Sequence, residues 1–224
     1  MLKNKKPTIN FSIILLLAFC AFACKLGSNQ NKSPQSTSTN TEIVNLSKEK
    51  TYDTKVKIKT PDDKDVVEVK IDANSTKLEY GGKIVRGETK DDKRKYNVEG
   101  GNQIAEVKIK DADGFKVRTN DGKLLWKIKI ADDKIKISDN EENQNAFEIK
   151  KKDDGAKIER GETKFGEVKF YKDRQKIKVK DAADKELFDS NTDKYSIAYG
   201  VLALSEIPED LRFIILAELL ARQI

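Results

Sequence analysis

The stretch from Leu211 to Ala221 constrains the rest of the chain most. It holds nine apolar residues in eleven, interrupted only by Arg212 and Glu218. At 100° per residue those nine side chains cover almost the whole circumference of a helix. A helix apolar all round is either enclosed by protein or immersed in lipid. Eleven helical residues extend only about 16 Å, against the ~30 Å hydrocarbon core of a bilayer, so this segment cannot cross one. The remaining chain is therefore expected to wrap it. Pro208 stands where a first helical residue would, Glu209 and Asp210 occupy the positive first turn, and Arg222 lies near the negative end. This predicts a helix over about 208–222.

The wrapping material is a period-two pattern that begins near Thr51. Lys55-Val56-Lys57-Ile58-Lys59 places two apolar side chains on one face and three lysines on the other, and the pattern returns repeatedly, for example in Glu68-Val69-Lys70-Ile71 and Glu106-Val107-Lys108-Ile109. Further copies are Trp126 to Ile130, Lys134 to Ile137, Phe147 to Lys150, Glu167 to Phe170 and Lys176 to Lys180. Alternation at 180° per residue describes strands with one buried and one wet face, the habit of antiparallel sheets. Turn residues such as Gly81-Gly82, Asp91-Asp92, Asn120-Asp121-Gly122 and Asp153-Asp154-Gly155 punctuate it every 8–12 residues. About eleven or twelve strands fit between 55 and 189. The predicted fold is mainly β: an antiparallel meander closed into a barrel, which removes its edges, around the hydrophobic C-terminal helix. The alternative is an open sheet or sandwich with that helix packed on one face. Tyr195 to Leu204, also apolar-rich, reads as a last strand or a short helix.

At this point residues 51–224 resemble the tubby-like barrel superfamily, most nearly its LURP-one-related and phospholipid-scramblase branches. The residues that carry the resemblance are Asp121-Gly122-Lys123-Leu124-Leu125-Trp126 and Pro208-Glu209-Asp210-Leu211-Arg212-Phe213-Ile214-Ile215-Leu216-Ala217. The resemblance implies about twelve antiparallel strands around a hydrophobic C-terminal helix. It assigns no calcium-binding, palmitoylated or phosphoinositide-binding residue here.

The N-terminus reads as an address. Lys3, Lys5 and Lys6 precede an uncharged apolar-rich run from Phe11 to Ala23, the pattern of a secretory signal peptide over 1–23. The run ends in Ala21-Phe22-Ala23-Cys24, which resembles the bacterial lipobox. That resemblance implies a diacylated Cys24 and cleavage between Ala23 and Cys24. Cys20 is preceded by the bulky Phe19 and does not substitute. Residues 24–50 then form a linker; in 28–41, 12 of 14 residues are Ser, Thr, Asn or Gln, with nothing apolar to bury. As a coil it would span roughly 30 Å. The expected location is the cell membrane or outer membrane, on the exported face.

Chemistry is narrowed mostly by what is missing. There is no histidine, and the only cysteines are Cys20 and Cys24, so the body can hold no Ser-His-Asp or Cys-His centre, disulfide or thiolate metal site. No phosphate-cradling glycine loop or Asp-x-Asp-x-Asp-Gly calcium loop occurs, and no carboxylate pair stands out. The expectation is a protein that is not an enzyme, with no catalytic residue, metal or cofactor. The charge excess is +6, or (44 − 3) − 38 = +3 without residues 1–23, too mild for a nucleic-acid partner. The lysine stripes could meet anionic lipid headgroups, but read equally as a solvated, aggregation-blocking face. Trp126, in phase with Ile128 and Ile130, is predicted to face the core. Arg212 and Glu218 are expected to emerge at the two ends of the barrel. Lys83–Lys90 and Lys157–Lys164 match at seven of eight positions, 74 residues apart, and suggest a duplicated hairpin set. The function expected is a membrane-anchored, non-catalytic binding or structural module of the cell envelope, with an envelope protein or anionic lipid as partner; the alternative is a lipid- or amphiphile-binding protein of the tubby/scramblase-like type.

Overall fold

The computed structural model describes residues 51–109 and 113–224. The expected signal peptide over 1–23, the cleavage before Cys24, its lipidation and the linker over 24–50 all fall on residues outside the described ones. Fourteen strands follow in order: β1 (Thr54–Lys59), β2 (Asp65–Ile71), β3 (Ser75–Tyr80), β4 (Lys83–Lys90), β5 (Lys93–Val98), β6 (Gln103–Lys108) and β7 (Gly114–Arg118), then β8 (Leu124–Ala131), β9 (Lys134–Ser138), β10 (Phe147–Lys152), β11 (Gly155–Arg160), β12 (Thr163–Tyr171), β13 (Lys176–Asp181) and β14 (Glu186–Asn191). Each pairs antiparallel with its neighbour in sequence, and β1 meets β14, so the meander is a closed barrel. It takes fourteen strands, two or three more than the alternation indicates, because several strands carry polar residues at inward positions.

Strand number explains why a plug is needed. About eight strands make a barrel that wall side chains can fill. Fourteen leave a wider bore, and here two helical rods occupy it. A 3₁₀ helix, Ile197–Ala203, lies against β10–β13, and α1 (Glu209–Ala221) lies against the 3₁₀ helix, β2 and β3. Within the apolar segment 195–204, Ile197–Ala203 is thus a helix rather than a strand, and that helix is buried along its whole length. Gly200 permits the fit: a Cβ there would come within 2.8 Å of Ile149 Cγ2. On α1, Leu211 and every residue from Phe213 to Leu219 are buried, so the helix is enclosed on all sides. Pro208 is its N-cap, one position outside the first turn. Arg222 Nη1 donates to the Glu218 carbonyl at 2.8 Å, using an orphan acceptor of the last turn.

Direction follows from the pairing. β1 starts at what we term the proximal rim, and β14 ends there. The 3₁₀ helix runs inward from Ser196 at the proximal rim. The link to α1 is held at the distal rim, where Arg160 pairs with Glu206 at 2.7 and 2.8 Å and Lys83 with Asp210 at 3.6 Å. α1 then returns to the proximal rim, where the Ser196 hydroxyl donates to the Ile224 carbonyl. Trp126 is half-buried toward the distal rim, its ring 6.4 Å from Phe147; Ile128 is fully in the core, and Ile130 is half-buried.

The suggested 74-residue duplication does not survive. Lys83–Lys90 is one strand, with Gly87 in its middle, whereas Lys157–Lys164 ends β11, turns at Gly161 (φ +58°) and begins β12. A different repeat is built into the register. In β2/β3, β6/β7 and β10/β11 the inward pairs are Val69 with Leu78, Val107 with Val117, and Ile149 with Ile158. Each is preceded on its first strand by a glutamate (Glu68, Glu106, Glu148), at intervals of 106 − 68 = 38 and 148 − 106 = 42 residues. The same arrangement recurs in β12/β13, where Glu167 precedes Val168 and Val168 faces Val179, so it is a feature of these hairpins rather than the mark of a larger repeating unit.

Candidate functional site

The outer wall, which carries the lysine stripes, is a charge lattice. In β2/β3, Glu68 faces Glu79 and Lys70 faces Lys77; in β10/β11, Glu148 faces Glu159 and Lys150 faces Lys157. Like charges directly opposite are unfavourable, and the diagonals resolve them. Lys70 reaches Glu68 at 2.8 Å and Glu79 at 2.7 Å, while Lys150 reaches Glu148 at 2.8 Å and Glu159 at 2.5 Å. These donors hold Glu79 and Glu148 down at about 2, chiefly through hydrogen bonds from Lys70 and Lys77 and from Lys136 and Lys150 respectively. Elsewhere Lys93 pairs with Glu106, Lys116 with Glu141, and Lys169 with Glu167. Such a surface presents little net positive field to an anionic partner.

Inside the barrel lies a polar cluster that the strand pattern conceals. Glu218, fully buried on α1, accepts from Arg94 Nη1 at 3.0 Å and from the Tyr96 hydroxyl at 2.6 Å, both on β5. Its second oxygen accepts from Arg222 Nη1 at 2.5 Å. Arg94 also donates to Thr89 Oγ1 at 3.1 Å, and the Arg222 guanidinium lies 4.4 Å over the Phe115 ring. Burial is the strongest influence on Arg94 and opposes its charge, but Glu218 and Tyr96 together outweigh it, and the guanidinium's pKa stands above its ordinary value. Burial lifts the Tyr96 phenol well above the usual range. Glu218 therefore does not emerge at a barrel end; Arg212, half-buried in the first turn of α1, donates to the Leu202 carbonyl at 3.0 Å. The cluster can hold α1 in register, and it presents no free nucleophile.

Cavities open at the proximal rim. A cavity of about 350 Å³ lies where β1 meets the chain leaving β14, with Thr54, Val56, Lys194, Tyr195 and Leu220 in its walls. Another, of about 440 Å³, lies on the other side of Tyr195 and Ile224, against Ile130 and Phe170. A shallow hollow of about 680 Å³ exposes the edge of Arg94 between the β2/β3 and β4/β5 turns. Among the described residues, no cluster of three or more His, Cys, Asp and Glu side chains could hold a metal ion, and no helix is long and apolar enough to cross a membrane. The residues singled out by sequence for lipidation and cleavage, Ala23 and Cys24, fall outside the described residues. Sequence reading missed Arg94 and Tyr96; the signal was Glu218 itself, a carboxylate that a buried helix cannot carry without partners. No protein family, curated protein or solved structure matches this chain.

Proposed function

We propose that the chain is a lipid-anchored, non-catalytic module of a bacterial cell envelope, moored through Cys24 and carrying its closed barrel on the linker of residues 24–50. The observation that supports this best is the apolar run to Ala23 followed by Ala21-Phe22-Ala23-Cys24, in a chain whose remaining residues include no further thiol and no histidine. The barrel fits the role. Polar residues hold the plug and balance the wall, and cavities open at the proximal rim. The balanced wall favours a binding or structural role over adhesion to anionic headgroups. The resemblance to tubby-like barrels implies twelve strands where this barrel has fourteen, and we rest no activity on it.

The test is metabolic labelling with an alkynyl fatty acid in a bacterial host. The full chain should take up label and sediment with membranes, and Cys24→Ser should abolish both. Unlabelled full chain, or membrane association unchanged by Cys24→Ser, refutes the anchor.

A further inference from the structure

The barrel closes unevenly. Every other pair of neighbouring strands shares three to six registered positions, whereas β1 and β14 share one, Lys59 with Asp189, near the distal end of β1. From Thr54 to Ile58, β1 has a registered partner on its β2 side alone. Backbone N–H and C=O groups alternate between the two sides of a strand, so this stretch carries a row of donors and acceptors with no strand opposite them. A cavity of about 350 Å³ opens beside it, and its walls are mixed: Val56, Tyr195 and Leu220 with Thr54, Ser196 and Gln223. A side-chain bond, Lys194 Nζ to Thr54 Oγ1 at 3.1 Å, spans the gap.

The charge lattice is also half-built here. On β13 the lysine row is met from both sides: Lys176 and Lys178 by Asp189 and Glu186 of β14, and Lys180 by Glu167 of β12. β14 thus turns both of those carboxylates back toward β13, away from the seam. On β1, Lys55 and Lys57 are met from one side only. The carboxylates at ion-pair distance from them among the described residues, Asp65 and Glu68, both belong to β2. The two lysine side chains stay 58% and 49% exposed.

We propose that this stretch of the seam accepts an extended segment of another protein as an added strand, with acidic residues at its alternate, outward positions. Backbone hydrogen bonds to β1 supply the binding, and carboxylates beside Lys55 and Lys57 supply the selection. The cavity takes the inward side chains, and its mixed walls suit valine and threonine alike. Lysines at the outward positions would be repelled, and a free anion would meet the ammonium groups without gaining the ladder. Because Lys59 and Asp189 close the distal end, the added strand is limited to the stretch 54–58, about 17 Å of extended chain. The inference rests on reading the chain as a binding module and is independent of the lipid anchor.

The experiment is fluorescence-polarisation titration of a labelled peptide, Thr-Glu-Val-Glu-Val-Glu-Thr with both ends blocked, with the full chain carrying Cys24→Ser; hydrogen exchange is followed in residues 54–58. The peptide should bind saturably, one per chain, and slow that exchange. A version N-methylated at its five central residues keeps every side chain and loses the ladder donors. A version with lysine for glutamate keeps the backbone and reverses the charge. Each should bind at least tenfold more weakly. In the chain, Lys55→Gln combined with Lys57→Gln should weaken the acidic peptide about tenfold, the scale of losing two exposed ion pairs. Asn191→Glu, at an exposed position on β14, supplies the missing acid within the chain and should weaken it too. No saturable binding of the acidic peptide, equal binding of either altered peptide, or full affinity in the double glutamine variant would each overturn the proposal. Protection of residues 54–58 that rises with chain concentration and needs no peptide would make a second copy the occupant, and overturns it as well. Cys24 is absent throughout, so none of these results bears on the anchor.

Discussion

Replacing Glu218 by leucine tests the logic of the plug most directly. The substitution keeps the volume and apolar character of α1 but leaves Arg94, whose side chain is 5% exposed, without its carboxylate, and takes the acceptor from the Tyr96 hydroxyl. Removing one partner of a buried ion pair costs about 3–5 kcal/mol, because the other charge stays buried and uncompensated. For a domain of this size each kcal/mol moves the melting temperature by roughly 2–4 °C, so Glu218→Leu should melt about 6–20 °C below the parent. Arg94→Met alone should also destabilise, since Glu218 keeps only Arg222 and Tyr96. The double variant should recover most of the loss, because a buried pair exchanged for apolar groups of similar volume is often neutral. Thermal melts followed by circular dichroism complete the cycle. If Glu218→Leu melts within 1 °C of the parent, or if the single losses simply add in the double variant, the carboxylate is not the anchor of the helix.

Three further outcomes follow from the same geometry. Gly87→Ala should destabilise by about 1–3 kcal/mol through overpacking, since its Cβ would lie 2.3 Å from Thr76 Oγ1 and 2.6 Å from Tyr96 Cε1; a chemical-denaturation midpoint unchanged from the parent would contradict that. Glu79 and Glu148 sit at about 2 in the fold against 4.5 as free groups, so their contribution is complete above pH 4.5 and drains away as pH falls toward 2. Both are partly solvated, so a melting temperature that declines modestly over that window and is flattened by 1 M salt is expected, and one that rises on acidification would refute the pairing. Deleting 208–224 removes Leu211, Phe213, Ile214, Ile215, Leu216 and Leu219 from the core at roughly 1.5–3 kcal/mol each, more than a typical domain's whole margin of 5–15 kcal/mol. The truncated chain should lose cooperative unfolding, and a truncated chain that melts like the parent would show that the barrel stands empty.

What could be read in advance was the part of the wall that touches apolar atoms. Where inward positions meet helix side chains of the ordinary kind, as with Val56 and Ile58 or Ile135 and Ile137, the alternation is clean and the strand is evident. It fades in β3 and β5. Thr76 and Arg94 point inward there, and both are buried, because those strands face the polar cluster around Glu218. The alternation of burial persists and that of hydrophobicity does not, so a count based on apolar residues falls short of fourteen. The 74-residue match misled for a related reason. Arg-Gly-Glu-Thr can run straight through a strand where Gly87 makes room for Tyr96, or turn a corner where Gly161 adopts φ +58°, and only the tertiary neighbours decide between them. The cavity between β1 and the chain leaving β14 has no signature of its own in the sequence, since it arises from how far those two strands diverge.

Closure also determines where this molecule can meet another. Apart from the stretch where β1 diverges from β14, a closed sheet offers no strand edge for a partner to extend. The wall interleaves lysines with glutamates across neighbouring strands, so long-range attraction to either sign of charge is weak, and the short-range pairs are already formed. The bore is filled by two helices that the barrel needs in order to stay folded, so it cannot double as a roomy ligand chamber. Recognition is therefore left to the rims and the imperfect seam. The distal rim is held by the Arg160–Glu206 fork, with the guanidinium 4.5 and 5.0 Å from the Phe147 and Phe165 ring centres. The proximal rim has cavities, the divergent strands and Lys194, whose ammonium donates to Thr54 Oγ1. It is also the rim at which β1 begins and β14 ends, so Thr54 and Lys194 stand in the wall of the same cavity.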